Sequence, residues 1–424
     1  MTRLLTPKLG AYAALAAAGF LAALLFARTE AAVLGLPFAL VAFLGLGAAR
    51  EPRVELEAAL DQERLLEGET ALLKLRVYAS TSVRRLELSL RLPAGLELAD
   101  GASRTTISLG AGEERVFEAR IAGRHWGACE LGSITVRARD RFGLLLFEGS
   151  FPTGLRLRVL PRPEALRALL APLETQVHSG NTVSRERGGG IEFADVRPFL
   201  PGDRVRHVNW RVSARRGELH VNQHHPERNA DVVIFLDTFA EVGDGGGTTL
   251  DLAIRGAAGL AGIYLRSRDR VGLVGFGGIL RWLRPGTGTV QLYRLMDSLL
   301  DTRVIASYAW KGIDVIPTGI LPPKALILAL SPLLDERTIG ALLDVRGRGF
   351  DVAVIELDPV GLVEPRRDER GELAHRLWLL QRSALRDRFR GAGIPIATWN
   401  RERPLESALE EVRASRRRVA RVRA

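Results

Sequence analysis

Two places in this chain gather side chains able to do chemistry. The first is residues 185–228, RERGGGIEFADVRPFLPGDRVRHVNWRVSARRGELHVNQHHPER, with four of the seven histidines: His207, His220, His224 and His225. Imidazoles bind zinc, but this spacing matches no ligand pattern with a known mechanism, and no cysteine accompanies them. Nine arginines stand against six acidic residues here, an excess of only three for a nucleic-acid-binding stripe. Of the aromatics, Phe193, Phe199 and Trp210 alone could stack on bases. Internal pairing is the reading the residues favour: Glu192, Arg197, Asp203, Arg206 and Arg215 can pair with one another, with Trp210 as an apolar anchor. Pro201-Gly202-Asp203 suits a tight turn, because proline fixes φ and glycine accepts a positive one.

The second place is Asp237, which ends the apolar run 232–236. Ligands of open α/β sheets sit beyond the carboxyl ends of the strands, where this carboxylate falls. Glu241 and Asp244 follow closely enough to gather a cation with it. Enzyme readings find less support. Residues 243–247 lack the Gly-Lys-Ser/Thr of a phosphate loop, and Cys129 has only His125 nearby as a base. The expectation is therefore a protein without an enzyme active site.

The elements that must position these residues are legible from periodicity. Continuous apolar runs at 232–236, 271–276, 325–330, 352–357 and 394–399 alternate with helix-like stretches at 251–267, 289–301, 335–347, around Leu377 and Leu385, and after Pro404. Such alternation predicts a doubly wound α/β sheet. Upstream, Leu73, Leu75 and Val77 interleave with Lys74 and Arg76, and Leu86, Leu88, Leu90 and Leu92 with polar residues. Turn signals between these runs predict an antiparallel β-sandwich-like domain over 51–161. Before it stand two uncharged stretches, LGAYAALAAAGFLAALLFA and AAVLGLPFALVAFLGLGAA, each long enough for a membrane-crossing helix. Arg3, Lys8, Arg50 and Arg53 flank the outer ends of this hairpin, whereas Arg28 in the connection is offset by Glu30. That asymmetry predicts both ends in the cytoplasm.

Composition agrees. The 424 residues are 46% hydrophobic and 26% charged, as in folded proteins. A single cysteine excludes an internal disulfide framework. The net charge of +11 favours anionic partners without choosing among them. Arg413, Arg416, Arg417, Arg418, Arg421 and Arg423 crowd the chain's last residues and suggest a contact with anionic lipid.

The string GGGIEFADVRPFLPGDRVRHVNWRVSARRGELHV resembles the signature of the bacterial domain-of-unknown-function family fifty-eight. LGSITVRARDRFGLLL and LRVLPRP are similar to that family's lead-in, and so is the two-helix anchor. The resemblance covers nearly the whole chain. It implies a von Willebrand factor A-like domain that works with a MoxR-type AAA+ ATPase and neighbouring membrane proteins. In von Willebrand A domains the strand-end aspartate begins an Asp-x-Ser-x-Ser run that binds magnesium through hard oxygen ligands. Here the run is Asp237-Thr238-Phe239-Ala240-Glu241, so both serines are replaced and phenylalanine cannot coordinate. Thr287 or Thr289 stands for the loop threonine, and Ser331-Pro332 replaces the aspartate after the third strand. The resemblance then implies a degenerate metal site at Asp237, Glu241 and Thr289, retained as a protein-binding surface.

The whole reads as a hairpin over 1–50, a β-sandwich-like domain over 51–161, a motif segment over 162–230 and an α/β domain over 231–424. The expected function is a two-pass, inner-membrane scaffold or adaptor facing the cytoplasm. The alternatives are a divalent-cation-dependent ligand-binding domain and a nucleic-acid-binding protein.

Overall fold

A computed structural model describes residues 1–48, 50–167, 169–171, 193–201, 203, 205–224, 230–244, 247–305, 316–364 and 366–423. Its contacts divide the chain into two compact units, Met1–Arg162 and Pro163–Ala424. The apolar hairpin thus groups with the β-rich domain, and the motif segment with the α/β domain.

The first unit opens on strand β1 (Thr2–Leu5) and two apolar helices, α1 (Pro7–Leu25) and α2 (Thr29–Ala48). Both helices are long and apolar enough to cross a membrane, and only 11% of each span is buried. Glycine sets their approach: a Cβ on Gly19 would lie 2.7 Å from the Gly35 Cα. Strands β2 (Val54–Leu60), β3 (Arg64–Leu66), β4 (Thr70–Ala79), β5 (Val83–Leu90), β6 (Leu96–Asp100), β7 (Arg104–Leu109), β8 (Glu113–Gly123), β9 (Gly127–Glu130), β10 (Ser133–Arg139), β11 (Leu145–Pro152) and β12 (Arg156–Leu160) follow.

Two antiparallel sheets, ordered β1-β11-β10-β5-β7 and β2-β4-β8-β6, share one core. The pleat explains it: Leu75, Val77 and Ala79 of β4 point inward to meet Leu86, Leu88, Ile134, Val136 and Phe147. Lys74 and Arg76 point out. Leu9, Tyr12 and Val41 from the hairpin pack against the same core, so the helices continue the domain without a loose linker. A third sheet, β3-β12-β9, contains one parallel pair.

The second unit holds β13 (Phe193–Pro198), α3 (Trp210–Arg216), β14 (His220–His224), β15 (Asp231–Thr238), α4 (Thr249–Arg266), β16 (Arg270–Gly277), β17 (Arg281–Gly286), α5 (Gly288–Leu300), β18 (Leu326–Ser331), α6 (Glu336–Gly347), β19 (Asp351–Leu357), α7 (Glu369–Gly391), β20 (Ile396–Trp399) and α8 (Leu405–Arg423). Six strands form a sheet ordered β17-β16-β15-β18-β19-β20. Pairing is parallel from β16 to β20, and β17 adds an antiparallel edge. The predicted strands and helices appear in the predicted order. The edge strand β17 and the hairpin β13–β14 were not foreseen, because their short runs lack a sustained apolar pattern. Strands β15, β18 and β19 are buried along their whole length, as their unbroken apolar runs require. Thr248 and Asp251 cap α4 reciprocally, satisfying two backbone N–H groups at its start.

Two of the tail arginines expected to face lipid are turned inward instead. Arg413 donates to the Leu169 carbonyl, and Arg416 donates to Ala171 O at 2.9 Å and pairs with Asp351 at 2.6 Å. These bonds hold α8 to the segment that enters the unit.

Candidate functional site at the carboxyl edge of the sheet

Four parallel strands bring Asp237, Ser331, Glu356 and Thr398 into one row. Leu236 pairs with Leu330 one position earlier, Ser331 with Glu356, and Glu356 with Thr398. The residues two positions before each, Phe235, Ala329, Val354 and Ile396, lie in the core shared with α6 and α7. By the two-residue period of a strand, the polar row faces the same side. It stands at the carboxyl edge, where ligands of such sheets bind.

Asp237 is 3% exposed. Its Oδ2 accepts from Ser331 Oγ at 2.6 Å and its Oδ1 from Phe239 N at 3.1 Å. Burial pushes its carboxyl up to about 6; those two bonds oppose the rise, and the charge of Asp335 adds to it. Phe239 sets its ring edge-on to Phe276, centroids 5.1 Å apart, and the Arg337 guanidinium lies 3.9 Å over its face. Arg337 is itself held on Asp335 at 2.7 and 2.9 Å.

The degenerate metal positions do not converge into a cation cage. Glu241 and Thr289 are both exposed, and the Asp237 oxygens are taken by donors of the chain itself. Among the described residues, no three His, Cys, Asp or Glu side chains form a group able to hold a metal. The donor set does not fit magnesium, which wants near-octahedral oxygen coordination.

Next along the row, Glu356 is 1% exposed and pairs with two arginines of α7. Arg382 donates to it and to Pro332 O at 2.8 Å; Arg386 donates at 2.6 Å; Thr398 Oγ1 donates at 3.2 Å. This cluster was not picked out from the sequence. The available signal was Glu356 itself, a carboxylate inside the apolar run 352–357.

Arg382 and Phe389 are the only buried residues of α7. None of residues 369–381, the helix's first half, is buried. In that half Leu373, Leu377 and Leu380 are 59%, 53% and 66% exposed. Their i, i+4, i+7 spacing lines them along one face.

The motif forms a separate small assembly. Strands β13 and β14 pair antiparallel, with α3 between them in sequence. Arg197 grips Asp203 through two bonds of 2.7 Å, and Asp203 also accepts from Leu200 N at 2.8 Å. The Arg197 guanidinium and that backbone bond hold the Asp203 carboxyl down at about 2. Asn209 caps α3 by accepting from Val212 N at 3.1 Å and donates to Asn222 at 2.7 Å. Ser213 Oγ donates to Asn209 O and accepts from His220 N. His220 is buried, with Nδ1 2.9 Å from Glu218 O and Nε2 3.3 Å from Arg216.

Trp210 departs from the expected anchor: it is 64% exposed. The inward side of this short helix is occupied by Ser213, whose small hydroxyl bonds the backbone on both sides. Arg215 is exposed and has no ion pair among the described residues. Pro201 is exposed at the turn, and Arg206 stands in the 3-10 turn Val205–His207. Glu192, Gly202 and His225 lie outside the described residues.

No curated protein matches the chain. Solved structures similar to parts of it include the CARDB domain of a Pyrococcus furiosus protein, at 14% identity over 23% of this chain and 92% of that one, with a TM-score of 0.16. Another is a FixG-related protein from Vibrio parahaemolyticus, at 13% identity over 25% and 95%, with a TM-score of 0.18. Residues 195–361, from the motif hairpin to the turn after β19, match the family described as Protein of unknown function DUF58.

Proposed function

We propose that this protein is a membrane-anchored scaffold whose second unit, a doubly wound von Willebrand A-like domain, binds a protein partner on the cytoplasmic side of the bacterial inner membrane. The observation that carries the reading is the state of the carboxyl edge. Its crevice is filled by Phe239 and Arg337 and by the pairing of Glu356 with Arg382 and Arg386, while the leucine face of α7 stands open beside it. A filled crevice next to an exposed apolar helix face favours a protein over a small ligand. The resemblance in the motif points to a MoxR-type AAA+ ATPase as that partner.

The test is co-purification of the full chain, in detergent, with a MoxR-type AAA+ ATPase. Leu377→Arg combined with Leu380→Arg should leave the melting temperature within a degree or two, since exposed substitutions change stability by about 0.5 kcal/mol or less. The same variant should lose the ATPase. Equal capture by the wild-type and variant chains would sink the proposal.

A further inference from the structure

Four basic residues flank the hairpin in sequence: Arg3, Lys8, Arg50 and Arg53. The fold adds a fifth from far along the chain. Strand β1 pairs with β11, Leu4 against Leu146 and Leu5 against Leu145. Past the strand, Thr6 N donates to Leu144 O at 3.1 Å, and Thr6 Oγ1 lies 2.9 Å from both Gly143 O and Leu144 O. Lys8 Nζ donates to Phe142 O at 2.9 Å. From the other helix, Gly45 is so close that a Cβ there would run into the Leu144 side chain and lie 3.5 Å from the Phe142 ring. The turn 140–144 is therefore folded against both helices at the base of the hairpin, and Arg141 is the residue just before Phe142, whose carbonyl holds Lys8. On the opposite flank the Met1 amino group is 2.5 Å from Glu51, which brings Arg50 to the start of β1.

Arg3, Lys8, Arg50, Arg53 and Arg141 are all exposed, and none has an ion pair among the described residues. The nearest acids are engaged elsewhere. Asp140 accepts from Phe142 N and Leu145 N, and Glu51 holds the amino group. We infer that these five side chains form a collar that binds the phosphate-bearing headgroups of anionic phospholipids, with Arg141 as the member contributed by the β-rich domain. The inference rests on the membrane-spanning reading of α1 and α2. Basic flanks also set topology, but that effect acts within about 15–20 residues of a span. Arg141 is far outside that range, so insertion does not account for its place in the collar. The lipid surface does: a juxtamembrane cation is drawn to an anionic leaflet, and the attraction fades within a Debye length.

The experiment is reconstitution of the full chain in nanodiscs of phosphatidylcholine with about one-third phosphatidylglycerol, a fraction at which each cation retains a substantial share of its attraction. Mild detergent extraction follows, with mass-spectrometric counting of the retained lipids. Retained lipid should be enriched in phosphatidylglycerol over the bulk. Arg141→Gln should lower that enrichment by up to about fivefold, the factor set by one juxtamembrane charge. Arg91→Gln, on the domain surface away from the hairpin, should leave it unchanged, as should inorganic phosphate in the buffer. A retained ratio equal to the bulk, an Arg141→Gln ratio equal to wild type, or displacement by inorganic phosphate would each overturn the collar. Failure of the chain to enter phosphatidylcholine discs at all would overturn the membrane-spanning reading instead.

Discussion

Asp237 and Asp203 are two aspartates moved in opposite directions by their surroundings. Burial raises Asp237 from 3.8 to about 6, whereas the Arg197 fork lowers Asp203 to about 2. The consequences for stability have opposite signs. A raised acid binds its proton more tightly in the folded state, so the contribution of Asp237 is complete below pH 3.8 and is lost as pH rises through about 6. A lowered acid contributes above its ordinary value, and that of Asp203 is lost as pH falls from 3.8 through about 2. Asp237→Asn keeps an acceptor for Phe239 N and turns its amide N–H toward the Ser331 hydroxyl oxygen, without a charge to bury. Denaturation of the full chain should therefore find it more stable than wild type at pH 8, by on the order of 3 kcal/mol, and nearly equal at pH 4. An identical change at the two pH values would show that the Asp237 charge is not what burial penalises. Phe239 was legible as a non-ligand from its type alone. That Ser331 would donate directly to Asp237 required the register of β15 against β18.

At the scale of elements, α7 is divided. Its second half is fastened to the sheet by Phe389 and by the arginines on Glu356, and among the described residues no side chain of its first half is buried. Glu356→Gln tests the fastening. It would leave Arg382, 4% exposed, without its carboxylate, and an uncompensated buried charge typically costs about 3–5 kcal/mol. The expected result is a lower melting temperature together with faster amide exchange across 382–390. Unchanged exchange there would mean that apolar packing alone holds the helix. The strands and helices of this unit could be anticipated because fully buried strands need unbroken apolar runs. The fastening could not, since Glu356, Thr398 and Arg382 are separated in sequence and adjacent only through strand order. The motif hairpin is similar. Turn chemistry at Pro201 and the Arg197–Asp203 pairing were readable, but the exposure of Trp210 followed from which side of α3 the Ser213 hydroxyl occupies.

At the scale of the molecule, β1 pairs with β11, so the residues before the first apolar helix belong to the same β-rich unit as those after the second. For helices long and apolar enough to cross a membrane, that pairing is compatible only with an even number of crossings between them. With the basic excess at those outer ends, both units are expected in the cytoplasm. A reporter active only outside the cytoplasm, fused after Ala424, should then be silent, and strong activity would reverse the orientation. The apolar spans, the alternating strands of the first unit and the strand–helix alternation of the second were determined by sequence alone. Each is a periodic pattern of burial, and hydrophobic burial acts on such patterns locally. The tertiary structure alone decided what distant side chains do together: the polar row from Asp237 to Thr398, the inward turn of Arg413 and Arg416, and the docking of Lys8 on the turn that carries Arg141. These depend on strand order and register, which no local pattern encodes, because a hydrogen bond or an ion pair is fixed by positions in space rather than by spacing along the chain.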